Sequence, residues 1–168
     1  MISSLAMGSQ TSCFVLMPFG EKADVGNITI NFDEVYEYLI KPVVEELDLK
    51  CTRSDEVTSA GWVHADMLER ILKDDVAIVD ITTLNPNVFY ELGVRHALRR
   101  SVTILMRKSG TQIPFDIKGF RVLNYGLSLK EAHDAKELLK RYITTSLTTR
   151  ADDSLVYAVF PKLTVTVG

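Results

Sequence analysis

The chain has 168 residues, enough for one domain with a full core, since a chain of this size buries roughly two-thirds of the surface its unfolded form exposes. With 46% apolar and 24% charged residues it is neither a disordered nor a fibrous chain. A net charge of −3, with 19 basic residues scattered rather than gathered into a stripe, argues against a nucleic-acid surface and leaves small anionic ligands open.

Residues 1–11 read as a flexible leader, without the charged and apolar regions of a signal peptide, and no apolar run approaches the roughly 18 residues of a membrane span. The expectation is a cytoplasmic protein with no membrane partner. Cys13-Phe14-Val15-Leu16-Met17 is wholly apolar and runs into Pro18-Phe19-Gly20, the pattern of a strand buried on both faces and ended by a turn. Residues 21–31 turn polar and predict a long loop leaving the top of a sheet. Phe32, Val35, Tyr36, Leu39, Ile40, Val43, Val44 and Leu47 recur at helical spacing, and Pro42 within that pattern predicts a kink. Leu49 to Arg53 is a second strand whose polar tip is Ser54-Asp55-Glu56. Cys51 lies in it as Cys13 lies in the first, and neither cysteine has metal-ligand spacing, so both read as buried thiols of a reducing compartment.

After a loop at Thr58 to Gly61, the segment from Trp62 to Asp74 carries an apolar stripe of Val63, Met67, Leu68, Ile71 and Leu72, a second helix. Val76 to Val79 is a third strand ending at Asp80. A Thr/Asn/Pro loop follows, and then a helix from Val88 that holds Glu91 in its first turns. Val102 to Met106 is a fourth strand and residues 107–112 a basic loop; a tight turn at Ile113 to Asp116 precedes a fifth strand, Phe120 to Tyr125. Ser128-Leu129-Lys130-Glu131 matches a helix-start capping box, continued by Ala132, Ala135, Leu138, Leu139, Tyr142 and Ile143. Alternating strands and helices with right-handed crossovers predict an α/β, flavodoxin-like open parallel sheet of five strands, order 2-1-3-4-5, with helices on both faces over residues 12–150. Residues 151–168 read as a β-prone tail: an edge hairpin, an interface arm or the start of a further region.

In such a sheet ligands bind at the carboxyl ends of the strands, where the first and third are neighbours. That places Pro18, Phe19 and Gly20 beside the segment from Asp80 to Glu91, with Asp55 at the same edge. Two readings fit Glu91. It either serves the helix start, where the dipole favours its ionised form, or stands in a crevice and stabilises an oxocarbenium-like sugar centre; on spacing alone the first is stronger. Asp80 either braces the Thr82 to Asn87 loop or contacts a ligand hydroxyl. Asn85 or Asn87 caps the helix, with Asn87 the preferred cap. Arg95 pairs with Glu91 four residues earlier, or faces a phosphate, or faces solvent, and Arg107 is a second phosphate candidate. His96 reads as a packing or surface histidine. Trp62 and Phe19 offer aromatic faces to a base or pack locally. No metal-ligand set, Gly-rich phosphate loop or Ser/His/Asp arrangement is present in the sequence.

The stretches CFVLMPFG, FDEVYEYLIKPVVEE, LERILKDDVAIVDITTLNPNVFYELGVRHAL and IPFDIKGFRVLNY, which together span Cys13 to Tyr125, resemble the nucleoside 2-deoxyribosyltransferase-like proteins that grade into the TIR-like NAD-processing proteins of bacterial antiphage defence. The resemblance implies that Glu91, in the E-L-G turn, is the catalytic carboxylate. It also implies that Asp80 helps hold the sugar or base, and that Pro18 to Gly20 contact the ligand. Thr82, Asn85, Asn87, Arg95, Asp55 and Trp62 complete the expected substrate-binding set. The first strand ends in Met17-Pro18-Phe19-Gly20 where deoxyribosyltransferases carry a Gly-rich turn with a tyrosine, and the W-x-x-x-E spacing of many TIR domains is not reproduced before Glu91. The expected activity is cleavage of a base–ribose bond, with NAD first among the substrates and no separate cofactor. Deoxyribosyl transfer, deoxynucleotide hydrolysis and a non-catalytic nucleotide-sensing module are the alternatives. The expected partners are a small nucleotide and either further copies of the chain or a sensor protein controlling it.

Overall fold

A computed structural model of the chain describes residues 10–56 and 63–166. The first nine residues of the expected leader, the expected loop at Thr58 to Gly61, and Trp62 lie outside the described residues. Five strands form a parallel sheet: β1 (Ser12–Leu16), β4 (Lys50–Arg53), β5 (Val76–Asp80), β6 (Thr103–Lys108) and β7 (Val122–Tyr125), in the spatial order β4-β1-β5-β6-β7. Numbering these five strands alone, the order is 2-1-3-4-5, as the alternation of apolar runs predicts.

Two core clusters cover the two faces of the sheet. On one, α1 (residues 32–46) and α4 (Leu129–Thr149) pack against Cys13, Val15, Val76, Ile78, Ile104, Met106, Leu123 and Tyr125. On the other, α2 (Val63–Lys73) and α3 (Pro86–Leu98) pack against Phe14, Leu16, Val79 and Leu105. Successive strand residues point to opposite faces, so the central strands, covered on both, contain no alternating polar positions, and all five residues of β5 are buried.

The kink expected at Pro42 takes a specific form. The helix α1 is continuous but changes winding over Val35–Ile40, where it is a π-helix, and the Lys41 amide donates to the Tyr36 carbonyl five residues back. Pro42 has no amide to donate, and the wider turn just before it reconciles that loss with an unbroken apolar face.

Two expectations need correction. Residues 21–31 are not all loop: Glu21–Ala23 (β2) and Thr29–Asn31 (β3) pair as an antiparallel hairpin. Its turn is built by Asp24, whose Oδ1 accepts from the amides of Gly26 and Ile28. Strands of three residues, mostly exposed, carry no readable alternation. Among the described residues the tail holds no strand: Leu155–Val159 is a short helix, α5, docked on α3 through Ser154 Oγ to the His96 carbonyl (2.6 Å) and Tyr157 hydroxyl to the Ala97 carbonyl (3.4 Å). Its run of apolar residues satisfied either periodicity, and the contact with α3 decides for helix.

Candidate active site

The carboxyl ends of β1 and β5, adjacent in the sheet, bring the Met17–Gly20 turn beside the loop that follows Asp80. Pro18 is buried, Phe19 is 54% exposed, and Gly20 takes a left-handed φ of +68° that its missing side chain permits. The turn is fixed by Asp33 at the start of α1, whose Oδ1 accepts from the Gly20 amide at 3.1 Å and from Arg53 Nη1 at 2.7 Å. Those bonds, the amide first, hold the Asp33 carboxyl below the usual carboxylate range. Arg53 ends β4 and grips Asp55 with two further bonds, Nε to Oδ1 and Nη2 to Oδ2 at 2.5 and 2.6 Å, while its guanidinium lies 4.8 Å from the centre of the Tyr36 ring. Asp55, expected in the substrate-binding set, is therefore the partner of Arg53. Asp33 and Arg53 were missed by sequence reasoning. Arg53 closes a polar, partly exposed edge strand, so the apolar run that marks Asp80 has no counterpart there.

Asp80 does not reach into the crevice. It is 1% exposed, and both its oxygens are taken: Oδ1 accepts from the Thr82 amide (2.9 Å) and the Thr82 hydroxyl (2.5 Å), and Oδ2 accepts from the Tyr125 hydroxyl (2.8 Å). Burial pushes its carboxyl up to about 6, opposed by those three donors. Thr82 is fully buried and its hydroxyl also accepts from the Lys108 amide at 2.9 Å. The expected ligand contacts of Asp80 and Thr82 are thus corrected to bracing. Together they tie the ends of β5, β6 and β7 and hold a loop in which Leu84 sits at φ +51°, a conformation a leucine adopts only under restraint.

Helix α3 opens two residues earlier than the apolar pattern suggested, at Pro86, whose missing amide costs nothing in the first turn. The cap is Asn85, whose side chain accepts from the Asn87 amide at 2.8 Å. The preference for Asn87 as cap is corrected, and Asn87 stands exposed in the first turn. Arg95 is also corrected. It is 0% exposed and pairs with neither Glu91 nor solvent; its guanidinium donates to the carbonyls of Ile71, Asp74, Asp75 and Val102 and to Thr103 Oγ1. Burial lowers it to about 10, leaving it charged at neutral pH. No polarity signal in the sequence separates an arginine that fills carbonyl vacancies from one on the surface. Arg107 is engaged by Asn124 Oδ1 at 2.7 Å and by the Thr111 carbonyl. His96 packs against the Phe120 ring at 4.9 Å between centroids, and burial lowers it to about 4.

Glu91 is the sixth residue of α3, beyond the first turn in which the helix dipole acts. Val88, Leu92 and Arg95 are buried, so Glu91 sits at the i+3 position of the stripe that α3 turns towards the sheet. It is half-buried, and no hydrogen bond or ion pair joins it to the described residues. Burial alone pushes its carboxyl up to about 7. This runs against the expectation that the helix dipole favours its ionised form. Asp80 shares the sheet face of Val76 and Ile78 and bonds Tyr125 there, whereas α3, which carries Glu91, covers the other face.

On the α1/α4 face, a cleft of ≈ 650 Å³ lies between the β2–β3 hairpin and the start of α4, and Tyr38, Leu127, His133 and Lys136 are among its lining residues. Glu91 does not line it. Among the described residues no group of three His, Cys, Asp or Glu side chains comes together to hold a metal, and no helix is long and apolar enough to cross a membrane.

No protein-family model and no curated protein matches the chain. Solved structures do. The lysine decarboxylase LdcF of Francisella novicida aligns with a TM-score of 0.50 at 13% identity, over 99% of this chain and 22% of its own. That likeness lies in the fold. It extends across the whole sheet and its helices, and the chain spans under a quarter of the length of that enzyme.

Proposed function

We propose that the protein is an N-glycosidase that cleaves the bond between base and ribose in a nucleotide, with Glu91 as the carboxylate facing the sugar. The observation that supports this is the placement of Glu91: an acid beside the buried stripe of Val88, Leu92 and Arg95, on the helix that follows the carboxyl end of β5, without a hydrogen-bond or ion-pair partner among the described residues and with its proton held to about 7. A carboxyl group so placed lacks a structural rationale and is well suited to meet a developing positive charge. As the glycosidic bond breaks, its electron pair leaves with the base, and the cationic sugar carbon draws Glu91 to its ionised form, which stabilises or captures it. Water then completes hydrolysis.

NAD fits this arrangement better than a neutral deoxynucleoside. Its nicotinamide is already cationic, so it departs as a neutral molecule and needs no general acid. Glu91 is the only carboxyl on α3, and Asp80 is enclosed on the other face. Phe19, exposed on the turn beside the loop, offers a face for a base. The resemblance to TIR-like and deoxyribosyltransferase-like proteins supplies the bond type and, with it, a role in antiphage defence in the cytoplasm, under control by self-association or a sensor protein.

The test is base release from a panel of NAD, deoxynucleosides and deoxynucleotides, followed by chromatography under dilute and assembly-promoting conditions. We expect nicotinamide release by the wild type and a loss of at least ~100-fold in Glu91→Gln. The kcat/KM profile should rise through about pH 7, where Glu91 ionises, and Glu91→Gln should lose that limb. Turnover of deoxy substrates with NAD intact would replace this reading with transfer or deoxynucleotide hydrolysis. Equal rates in wild type and variant would remove Glu91 from the mechanism.

A further inference from the structure

Cys13 and Cys51, separated by more than a strand and a helix in sequence, stand in register on adjacent parallel strands. Both belong to the core on the α1/α4 face, so their side chains leave the sheet on the same side. Both are free thiols, Cys13 fully buried and Cys51 partly exposed. Neighbouring strands run roughly 4.8 Å apart, which falls within the Cα separations that disulfides span. β4 is an edge strand, paired in the sheet with β1 alone.

We propose that Cys13 and Cys51 form a peroxide-oxidisable dithiol, a modification site that reversibly ties the edge strand to the centre of the sheet. Cys51 reacts first because it is the partly exposed thiol of the two and because the neighbouring Cys13 sulfur lowers its thiol, whereas burial raises that of Cys13. Its thiolate attacks one oxygen of the peroxide; the S–O bond forms, the O–O bond breaks, and with one proton the products are a sulfenic acid and water. The Cys13 sulfur then attacks the Cys51 sulfur. The S–S bond forms, the S–O bond breaks, and the departing hydroxide takes the Cys13 proton as a second water. Two thiols are oxidised and one peroxide is reduced.

Side chains that stand in register across a flat parallel pair are held somewhat wider apart at Cβ than the ~3.8 Å a disulfide prefers, so closing the bond draws β4 inwards and stores strain. Strained disulfides are readily reduced, so the bond is a reversible one rather than a permanent staple. Its ends lie close to the candidate site: Cys51 is two residues before Arg53, and Cys13 is on the strand that leads to the Met17–Gly20 turn. The proposal does not depend on Glu91 and is tested without an activity assay.

The experiment treats the fully reduced full-length protein with a small excess of hydrogen peroxide, caps remaining thiols with an alkylating agent, and reads intact mass and non-reducing peptide maps. The expected result is a monomer that has lost two hydrogen atoms, takes up no cap, yields a peptide linking Cys13 to Cys51, and regains both thiols on treatment with glutathione. In Cys13→Ala the expected product is a sulfenic acid at Cys51, trapped by dimedone. Oxygen added stepwise to Cys51 of the wild type without a linked peptide, a disulfide between two molecules, or two thiols that still accept the cap would each overturn the proposal. The wild-type arm decides alone should Cys13→Ala fail to fold.

Discussion

Glu91 and Asp80 are eleven residues apart, and the fold treats them in opposite ways. Asp80 is deep, and three donors compensate its charge; Glu91 is shallower and receives nothing, so its folded-state carboxyl holds a proton up to about 7 against an ordinary value of 4.5. A raised carboxyl contributes stability that is fully present below the unfolded value and is lost as pH rises through the folded one. Glu91 therefore weighs against the fold at neutral pH. Glu91→Gln is neutral throughout and should have a higher Tm than the wild type at about pH 8, with the difference closing at about pH 4.5. A difference in Tm that stays constant across that range would mean that Glu91 is not desolvated. The carboxylate at the strand end was legible in the sequence, and its role was not: Val76 to Asp80 has the same letters whether Asp80 meets a ligand or a tyrosine 45 positions later.

At the level of elements, local chemistry was legible wherever a few adjacent residues act together. The capping box at the start of α4 is complete: the Ser128 side chain accepts from the Glu131 amide, and the Ser128 amide donates to Glu131 Oε2 at 3.2 Å. Its third requirement, Gly126, is visible only in three dimensions. A Cβ there would run into the Glu131 carboxylate, although the backbone of Gly126 is not left-handed. Gly126→Ala should displace that side chain, cost about 1 kcal/mol and lower Tm by about 2–4 °C. On a Glu131→Ala background the same substitution should cost almost nothing, and thermal melts of the four proteins complete the cycle. Additive losses would show that the two residues do not meet. The π segment of α1 teaches the same lesson from the other side. Pro42 announced a disturbance, and the way it was absorbed depended on keeping Tyr36, Leu39 and Ile40 buried.

For the molecule as a whole, the order of the sheet was legible because strands buried on both faces must be continuous apolar runs and parallel neighbours need crossovers of one hand. The β2–β3 hairpin was not, and Lys108 Nζ bonded to Asp24 Oδ2 at 3.1 Å shows how it is held, by a contact across 84 positions. Nor was the docking of α5, which depends on carbonyls at the end of α3. Both belong to surfaces that close only once the sheet exists. Fold likeness to part of a much longer enzyme at 13% identity is in keeping with this, since layer architecture tolerates almost complete replacement of side chains.

The side chain of Arg95 joins the end of α2 to the entry of β6, through carbonyls from Ile71 to Val102. One consequence concerns amide exchange rather than ligand chemistry. Those segments cannot open singly without stripping partners from a buried cation, so they should exchange their amide protons as one cooperative unit. In Arg95→Met, deuterium should enter the last turn of α2 well before β5, while the wild type exposes both together. Uniform acceleration over the whole sheet would instead assign Arg95 to global stability alone. A single arginine would then set which part of the chain breathes as a block.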